Sequence, residues 1–265
     1  MLSVVCWKWK ATIGPQLFSA VHVNALRAAL ADKLKLDHQV YCVTDDPSGL
    51  DGDICAIPMP TLYAHTPRCR RRMQQFDRDF SSIFGSRMLS IDLDTVIVDD
   101  ITAMMSRTEP IVCCRIEYAN VYSGSLILMD TGALDGLWQR FHRDPAGYPK
   151  LAWPRGTGSD QAMLNHYLAD QPPVASWGAA DGIVTYFGAG YQAFEHWGVG
   201  PTRKQLPAGA KLVILGSADL HVLSDDSYPW VRDHYMPYER AAISNQVGAR
   251  LAQAAQALEQ RRAAR

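Results

Sequence analysis

The chain has 265 residues, 48% hydrophobic and 20% charged, with 26 basic against 27 acidic side chains and a net charge of −1. Such a composition supports a full globular core, and its balanced charge excludes a surface built to coat nucleic acid. No apolar run has the length needed to cross a bilayer.

Taken in order, the opening MLSVVCWKWK enters a strand over Ser3 to Trp7 directly, without a charged stretch followed by a long apolar one. Val23, Leu26, Leu30 and Leu34 recur at helical spacing, which predicts an amphipathic helix over Val21 to Leu36. Gln39 to Val43 reads as a second strand ending in the turn Thr44-Asp45-Asp46-Pro47, so the chain opens as a right-handed βαβ unit. A short strand follows at Ile54 to Ile57, then a helix from Arg68 to Phe84 carrying Arg70, Arg71 and Arg72.

Phe84 to Ile101, FGSRMLSIDLDTVIVDDI, is the stretch around which the rest is organised. Its apolar run before Asp92 reads as a buried parallel strand. Alternation along a strand would place Asp92 and Asp94 on one side at its carboxyl end, about 7 Å apart, with Leu93 opposite. Two such carboxylates resist joint burial unless a cation or proton lies between them, and an oxygen-only pair suits magnesium or manganese. In an open α/β sheet the ligand lies outside the carboxyl ends of the strands. Three arginines just ahead of the pair suit phosphate oxygens.

Beyond the pair, Ile111 to Cys114 reads as a strand, and VYSGSLILMD places a Ser-Gly-Ser turn before the run Leu126 to Met129. A helix is predicted over Ala133 to His142. Ser159-Asp160 signals the start of a helix running from Gln161 to Leu168. Residues 171–207 are rich in glycine, proline and aromatics, Lys211 to Leu215 is a short strand, and Glu239 to Arg265 forms one alanine-rich helix with a basic end. Four of the six cysteines lie in strand-like runs and none forms a C-x-x-C pair, which suits reduced, buried thiols and a cytoplasmic location. One domain is expected over 1–238, with 239–265 as a terminal helix.

Four stretches in order, VYCVTDDPSGL, LSIDLDTVIVDDI, SGSLILMD and GTGSDQAMLNHYL, resemble the nucleotide-sugar glycosyltransferases of GT-A fold, and within them the retaining family 8 group. The resemblance runs from about Val4 to Trp230. It implies a single α/β domain with a mixed, mostly parallel sheet flanked by helices. Asp92 and Asp94 match the pair that holds Mn2+ (or Mg2+) against the donor diphosphate, with Leu93 beside it. Lys8, Thr44 and Asp45 fall at the family's nucleoside contacts, and one of Arg70, Arg71 and Arg72 at a donor-holding position. Ser123, Gly124 and Ser125 match a donor-contacting strand, although Ser123 stands where the group has asparagine. Asp160 and Gln161 match the pair near the reacting sugar carbon. The family's further metal ligand, a histidine, is here Leu215, and His221 is the candidate replacement, with water the alternative. The implied donor is a UDP-sugar and the implied outcome retention, with inversion left open. The acceptor, a saccharide, lipid or protein, would lie against the aromatic-rich 148–200 region, including Trp153 and Trp177.

Two other readings stand beside this one. Asp92-Leu93-Asp94-Thr95-Val96-Ile97 also resembles the first motif of the haloacid-dehalogenase-type magnesium phosphatases, in which the first aspartate is a nucleophile and the second a general acid. That motif usually lies near the N-terminus, and Lys150 and Lys211 offer no fitting partner. A non-catalytic nucleotide-sugar binding module on the same fold is the other alternative.

Overall fold

A computed structural model describes residues 1–10, 17–60, 68–145, 152–153, 156–157, 159–188 and 191–263. The first strand, β1 (Leu2–Lys8), is buried along all seven residues, as a central strand covered on both faces must be. Helix α1 (Ala20–Lys33) buries Val23, Leu26 and Leu30 against the sheet and leads to β2 (His38–Thr44) and the short β3 (Cys55–Pro58). β2 lies parallel to β1, with Leu2 opposite His38 and Lys8 opposite Thr44, and β3 runs parallel to β2 at the edge.

The helix expected over 68–84 is broken into three pieces. Arg68–Phe76 is a 3₁₀ segment, α2 (Arg78–Ser81) is a single turn, and a 3₁₀ turn over Ser82–Phe84 ends at Gly85. Asp77 caps α2 by accepting from Asp79 N, so a new helix begins where one continuous helix was predicted. Met73 and Phe76, three residues apart, are both buried, a spacing that suits the three-residue turn of a 3₁₀ segment.

Strand β4 (Arg87–Ile91) then pairs parallel to β1. After the Asp92–Asp94 turn the chain leaves this sheet. β5 (Thr95–Ile97) pairs with a distant strand, β12 (Leu212–Ile214), which in turn pairs with β11 (Ile183–Thr185). The two sides of β5 serve two cores: Ile97 packs with the α1 side of the main sheet, and Val96 with Val213, Tyr228 and Trp230.

After the short helix α3 (Thr102–Met105) come β6 (Ile111–Ile116) and β7 (Val121–Asp130). The Ser-Gly-Ser expected as a turn lies inside this ten-residue strand. Cys113 faces Ile127 while the next residue, Cys114, faces Ser123, so Gly124, Ser125 and Leu126 form a bulge. A bulge lets the ladder continue on both sides while re-aiming the residues within it. Helix α4 (Asp135–Arg143), the two-stranded ribbon β8 (Ala152–Trp153) and β9 (Gly156–Thr157), and α5 (Asp160–Leu168) follow, and β10 (Ala175–Trp177) joins the edge beside β6. The main sheet has the order β10-β6-β7-β4-β1-β2-β3, with only β7 antiparallel to its neighbours. The carboxyl ends of β1, β2, β4, β6 and β10 therefore share one edge. The chain closes with α6 (Pro229–His234) and the long α7 (Met236–Ala263), which begins three residues before its predicted start. Among the described residues no helix is long and apolar enough to cross a membrane. Cys6, Cys42, Cys113 and Cys114 are buried free thiols on strands, whereas Cys55 is exposed.

Candidate active site at the carboxyl edge of the sheet

The acidic pair sits in the turn that carries the chain from one sheet to the other, not on a continuing strand. Three backbone bonds pin that turn. Asp92 N donates to Ser125 O (2.9 Å) in the β7 bulge, Thr95 N closes back on Asp92 O (3.2 Å), and Leu215 N donates to Asp94 O (3.0 Å). Leu93 points into the core and is 5% exposed, which anchors the turn by about 2 kcal/mol of apolar burial. Asp94 is buried, and its Oδ1 has no hydrogen-bond donor. Burial pushes its carboxyl up to about 6, against an opposing pull from the nearby Arg72. Asp92 is more open and forms an ion pair with Arg72 Nη1.

Arg72 is the centre of the arrangement. From the buried 3₁₀ segment its Nε donates to Asp160 Oδ2 at 2.7 Å and its Nη2 approaches the same oxygen at 2.5 Å, while Nη1 takes Asp92. One planar guanidinium thus bridges two carboxylates, a geometry a lysine ammonium does not supply. Asp160 opens α5, but the capping role belongs to Ser159, whose Oγ accepts from Ala162 N at 3.0 Å. That leaves the Asp160 carboxylate, only 4% exposed, directed at the arginine, with its Oδ1 accepting from Gln161 N (2.9 Å).

The β7 bulge completes this half of the site. A side chain at Gly124 would bring a Cβ within 3.3 Å of both Arg72 Nη2 and Asp160 Oδ2, so the glycine makes room for the ion pair. Gln161 Oε1 accepts from Gly124 N (3.3 Å) and Ser123 Oγ (3.4 Å), and Ser125 N donates to Ser123 Oγ (3.1 Å). The fold thereby gathers Arg72, Asp92, Asp94, Asp160, Gln161 and the Ser123–Ser125 stretch of β7 from four separated segments. Cys69, which sequence reasoning missed, adjoins Asp160, and its thiol is pushed up to about 12 by burial and then by that carboxylate.

A second cluster lies at the ends of β1 and β2. Lys8 Nζ donates to Asp46 O at 2.6 Å, and Thr44 Oγ1 both donates to Asp46 O and accepts from Asp46 N, each at 3.1 Å. Asp45 accepts from Lys10 N through both oxygens at 3.1 Å. The Arg71 guanidinium lies 5.7 Å from the centre of the Trp9 ring and interacts electrostatically with Asp45. Consecutive arginines therefore serve different clusters: Arg71 this one, Arg72 the carboxylates. Arg70 is half-buried on the same segment. Trp9 was not singled out from sequence; its signal was an aromatic residue directly after the carboxyl end of β1.

His221 lies elsewhere in character. It is exposed on the 3₁₀ segment Ser217–Ser224, with Asp219 and Asp225 as electrostatic neighbours. Leu215, in the place of the expected histidine, is buried in the core behind β12. Among the described residues no three His, Cys, Asp or Glu side chains converge as a metal cluster. The donor chemistry of Asp92 and Asp94 still suits a hard divalent cation, since the buried Asp94 Oδ1 accepts no hydrogen bond.

Two strands across from β4 on the same edge, a cavity of about 390 Å³ is lined by Arg115, Glu117, Asn120, Ser176, Gly178 and Asp181. Asn120 adopts the left-handed conformation, φ 54°, and accepts from Arg115 Nη2 through its side chain. Beside Glu117, the Tyr118 ring packs on Phe187 (5.1 Å) and Phe194 (5.3 Å). Trp177 is fully buried at the end of β10, which corrects the expectation that it stacks on an acceptor. The Trp153 side chain and Arg155 lie outside the described residues.

No protein-family model matches the sequence, and no curated protein matches it. Among solved structures it is similar to the crystal structure of the glycosyltransferase GlyE from Streptococcus pneumoniae TIGR4, with a TM-score of 0.58 over 93% of this chain. The chain shares its fold with a glycosyltransferase. Sequence identity is 14% and the match spans 65% of that protein's chain, so the likeness concerns the fold.

Proposed function

We propose that the protein is a metal-dependent glycosyltransferase that transfers a sugar from a nucleotide-sugar donor, a UDP-sugar, to an acceptor with retention of configuration. The observation that carries this reading is the Arg72 bridge between Asp92 and Asp160, set against the buried and unpartnered Asp94 oxygen. Asp92 and Asp94 would hold Mn2+ or Mg2+, which when bound supplies Lewis-acid neutralisation of a diphosphate leaving group.

The remaining chemistry belongs to the chain. Arg72 presents a guanidinium to phosphate oxygens and exchanges Asp92 for the donor as it binds. Asp160 places its carboxylate beside a sugar carbon that becomes positive in an oxocarbenium-like transition state. Gln161 orients the sugar through an amide held by the β7 bulge. Lys8, Thr44, Asp45 and Arg71 form the nucleoside side, with Trp9 as an apolar face. The polar cavity between β6 and β10 is the acceptor side, since hydroxyl-rich rings pair with mixed donors and acceptors such as Arg115, Glu117 and Asn120.

The test is calorimetric binding of UDP, with and without Mn2+, to the wild type and to the double variant Asp92→Ala/Asp94→Ala. Metal-dependent binding that disappears in the double variant is expected, followed by UDP release from a UDP-sugar. Absence of UDP binding under both conditions overturns the reading and directs attention to phosphatase activity. Binding without any turnover across UDP-sugars assigns the chain to the non-catalytic alternative.

A further inference from the structure

Helix α7 begins as part of the body and ends away from it. Near its start, Tyr238 Oη donates to Asp32 Oδ2 at 2.6 Å and the Lys33 ammonium lies 5.3 Å from the Tyr238 ring centre, both at the C-terminal end of α1. Two turns later, Gln246 Nε2 donates to Gly49 O at 2.9 Å. Gly49 lies in the loop after the carboxyl end of β2, close to Ala20 at the start of α1. The helix therefore runs antiparallel to α1 and arrives at the sheet edge that carries the acidic pair. From Gln246 to Ala263 it extends about 26 Å further at 1.5 Å per residue. Every described side chain beyond Gln246 is exposed.

Where the helix leaves the body, Ile243, Val247 and Leu251, at successive spacings of four residues, share one face and are 47%, 51% and 67% exposed. Arg250, one turn beyond Val247 and two beyond Ile243, lies on the flank of that stripe. From Val247 to Arg265 the sequence holds four arginines (Arg250, Arg261, Arg262, Arg265) against one acid, Glu259, although the whole chain carries a net charge of −1. A second copy seated on the stripe would bring arginines together with almost no acid to neutralise them. The exposed stripe also offers roughly 300 Å² of apolar area, well short of the ~800 Å² per partner of a stable pair. An apolar stripe with the Arg250 guanidinium on its flank, in a segment whose sequence is basic, matches the boundary between acyl chains and anionic headgroups.

We propose that α7, through the stripe Ile243, Val247 and Leu251 with Arg250 on its flank, docks onto an anionic membrane surface. The site edge is then held toward the lipid. The inference is independent of the transferase reading, because partition is measured without turnover.

The test is flotation of the full chain with vesicles of phosphatidylcholine alone and of phosphatidylcholine containing phosphatidylglycerol. Wild-type protein is expected to float with the anionic vesicles and not with the neutral ones, and to be released by salt. Val247→Glu/Leu251→Glu should reduce that partition by about tenfold or more. Ala252→Glu/Gln256→Glu, which adds the same charge on the opposite face, should retain most of it. Circular dichroism verifies that each variant is folded, and Arg250→Glu replaces the stripe variant if it is not. Wild type that floats with neither vesicle, or a stripe variant that floats like wild type, overturns the proposal. So does a sedimentation-velocity dimer that becomes monomeric in the stripe variant, which would assign the stripe to a second copy.

Discussion

On the carboxylate half of the site, Arg72, Asp92 and Asp160 meet as buried or half-buried charges from segments far apart in the chain. On the nucleoside half, Lys8, Thr44 and Asp45 are held largely by the backbone of two adjacent loops, through Asp46 O, Asp46 N and Lys10 N. The difference separates two kinds of mutational effect. Removing one member of a buried charge network leaves another charge uncompensated and costs the fold as well as the ligand. Removing a side chain whose partner is a loop carbonyl costs one hydrogen bond, and mainly the ligand.

The largest expected effect is at Arg72. Arg72→Ala strands Asp160 in a buried position and should lower stability by about 3–5 kcal/mol in urea unfolding. Arg72→Lys should recover part of that loss, because the charge returns without the bidentate fork. A loss below about 1 kcal/mol for Arg72→Ala, within the range of exposed ion pairs, would show that the two halves are not energetically distinct.

The next effect concerns Asp94, and its sign is opposite. Burial raises its folded-state carboxyl to about 6, above its ordinary value, so the folded state holds the proton more tightly than the unfolded chain does. Wild-type stability should therefore fall as pH rises from about 4 to 6 and carry the full cost above that range. Asp94→Asn removes the charge and is expected to stabilise the metal-free protein by about 1–3 kcal/mol above pH 6. The gain should vanish toward pH 4, as read from urea midpoints across pH. A destabilised Asp94→Asn at neutral pH would contradict the account of Asp94 as a desolvated carboxylate without a donor.

The smallest effect on stability belongs to Lys8. Lys8→Met keeps the apolar stem and loses one bond to a loop carbonyl, worth about 1 kcal/mol. Its larger consequence should be weaker UDP binding in calorimetry, with the Mn2+ dependence preserved. If Lys8→Met cost as much stability as Arg72→Ala, the contrast between the halves would collapse.

Much of the frame is local information. Buried runs and helical spacing mark β1, α1, β2 and β4 to within a few residues, because an apolar strand and an amphipathic helix each follow a short period. The acidic pair is visible as a polar interruption between two apolar runs, and Ser159 as a cap. Non-local pairing decided the rest. Whether Asp92 and Asp94 continue a strand or turn out of it depends on β12, more than a hundred residues later, capturing β5. Gly124 and Ser125 fall in a bulge rather than a turn because β6 pairs with β7 on both sides of it. The choice among three consecutive arginines was unreadable, since a 3₁₀ turn and a helix aim neighbouring side chains differently and only the positions of Trp9 and Asp160 distinguish them. Composition likewise marked Trp177 as a loop aromatic, while its pairing in β10 buried it completely. By itself, then, the sequence determined the strand–helix alternation and the carboxylates able to take a cation, because each follows from neighbours along the chain. Only the tertiary structure decided which cation meets which carboxylate, because those contacts depend on segments that the fold alone brings together.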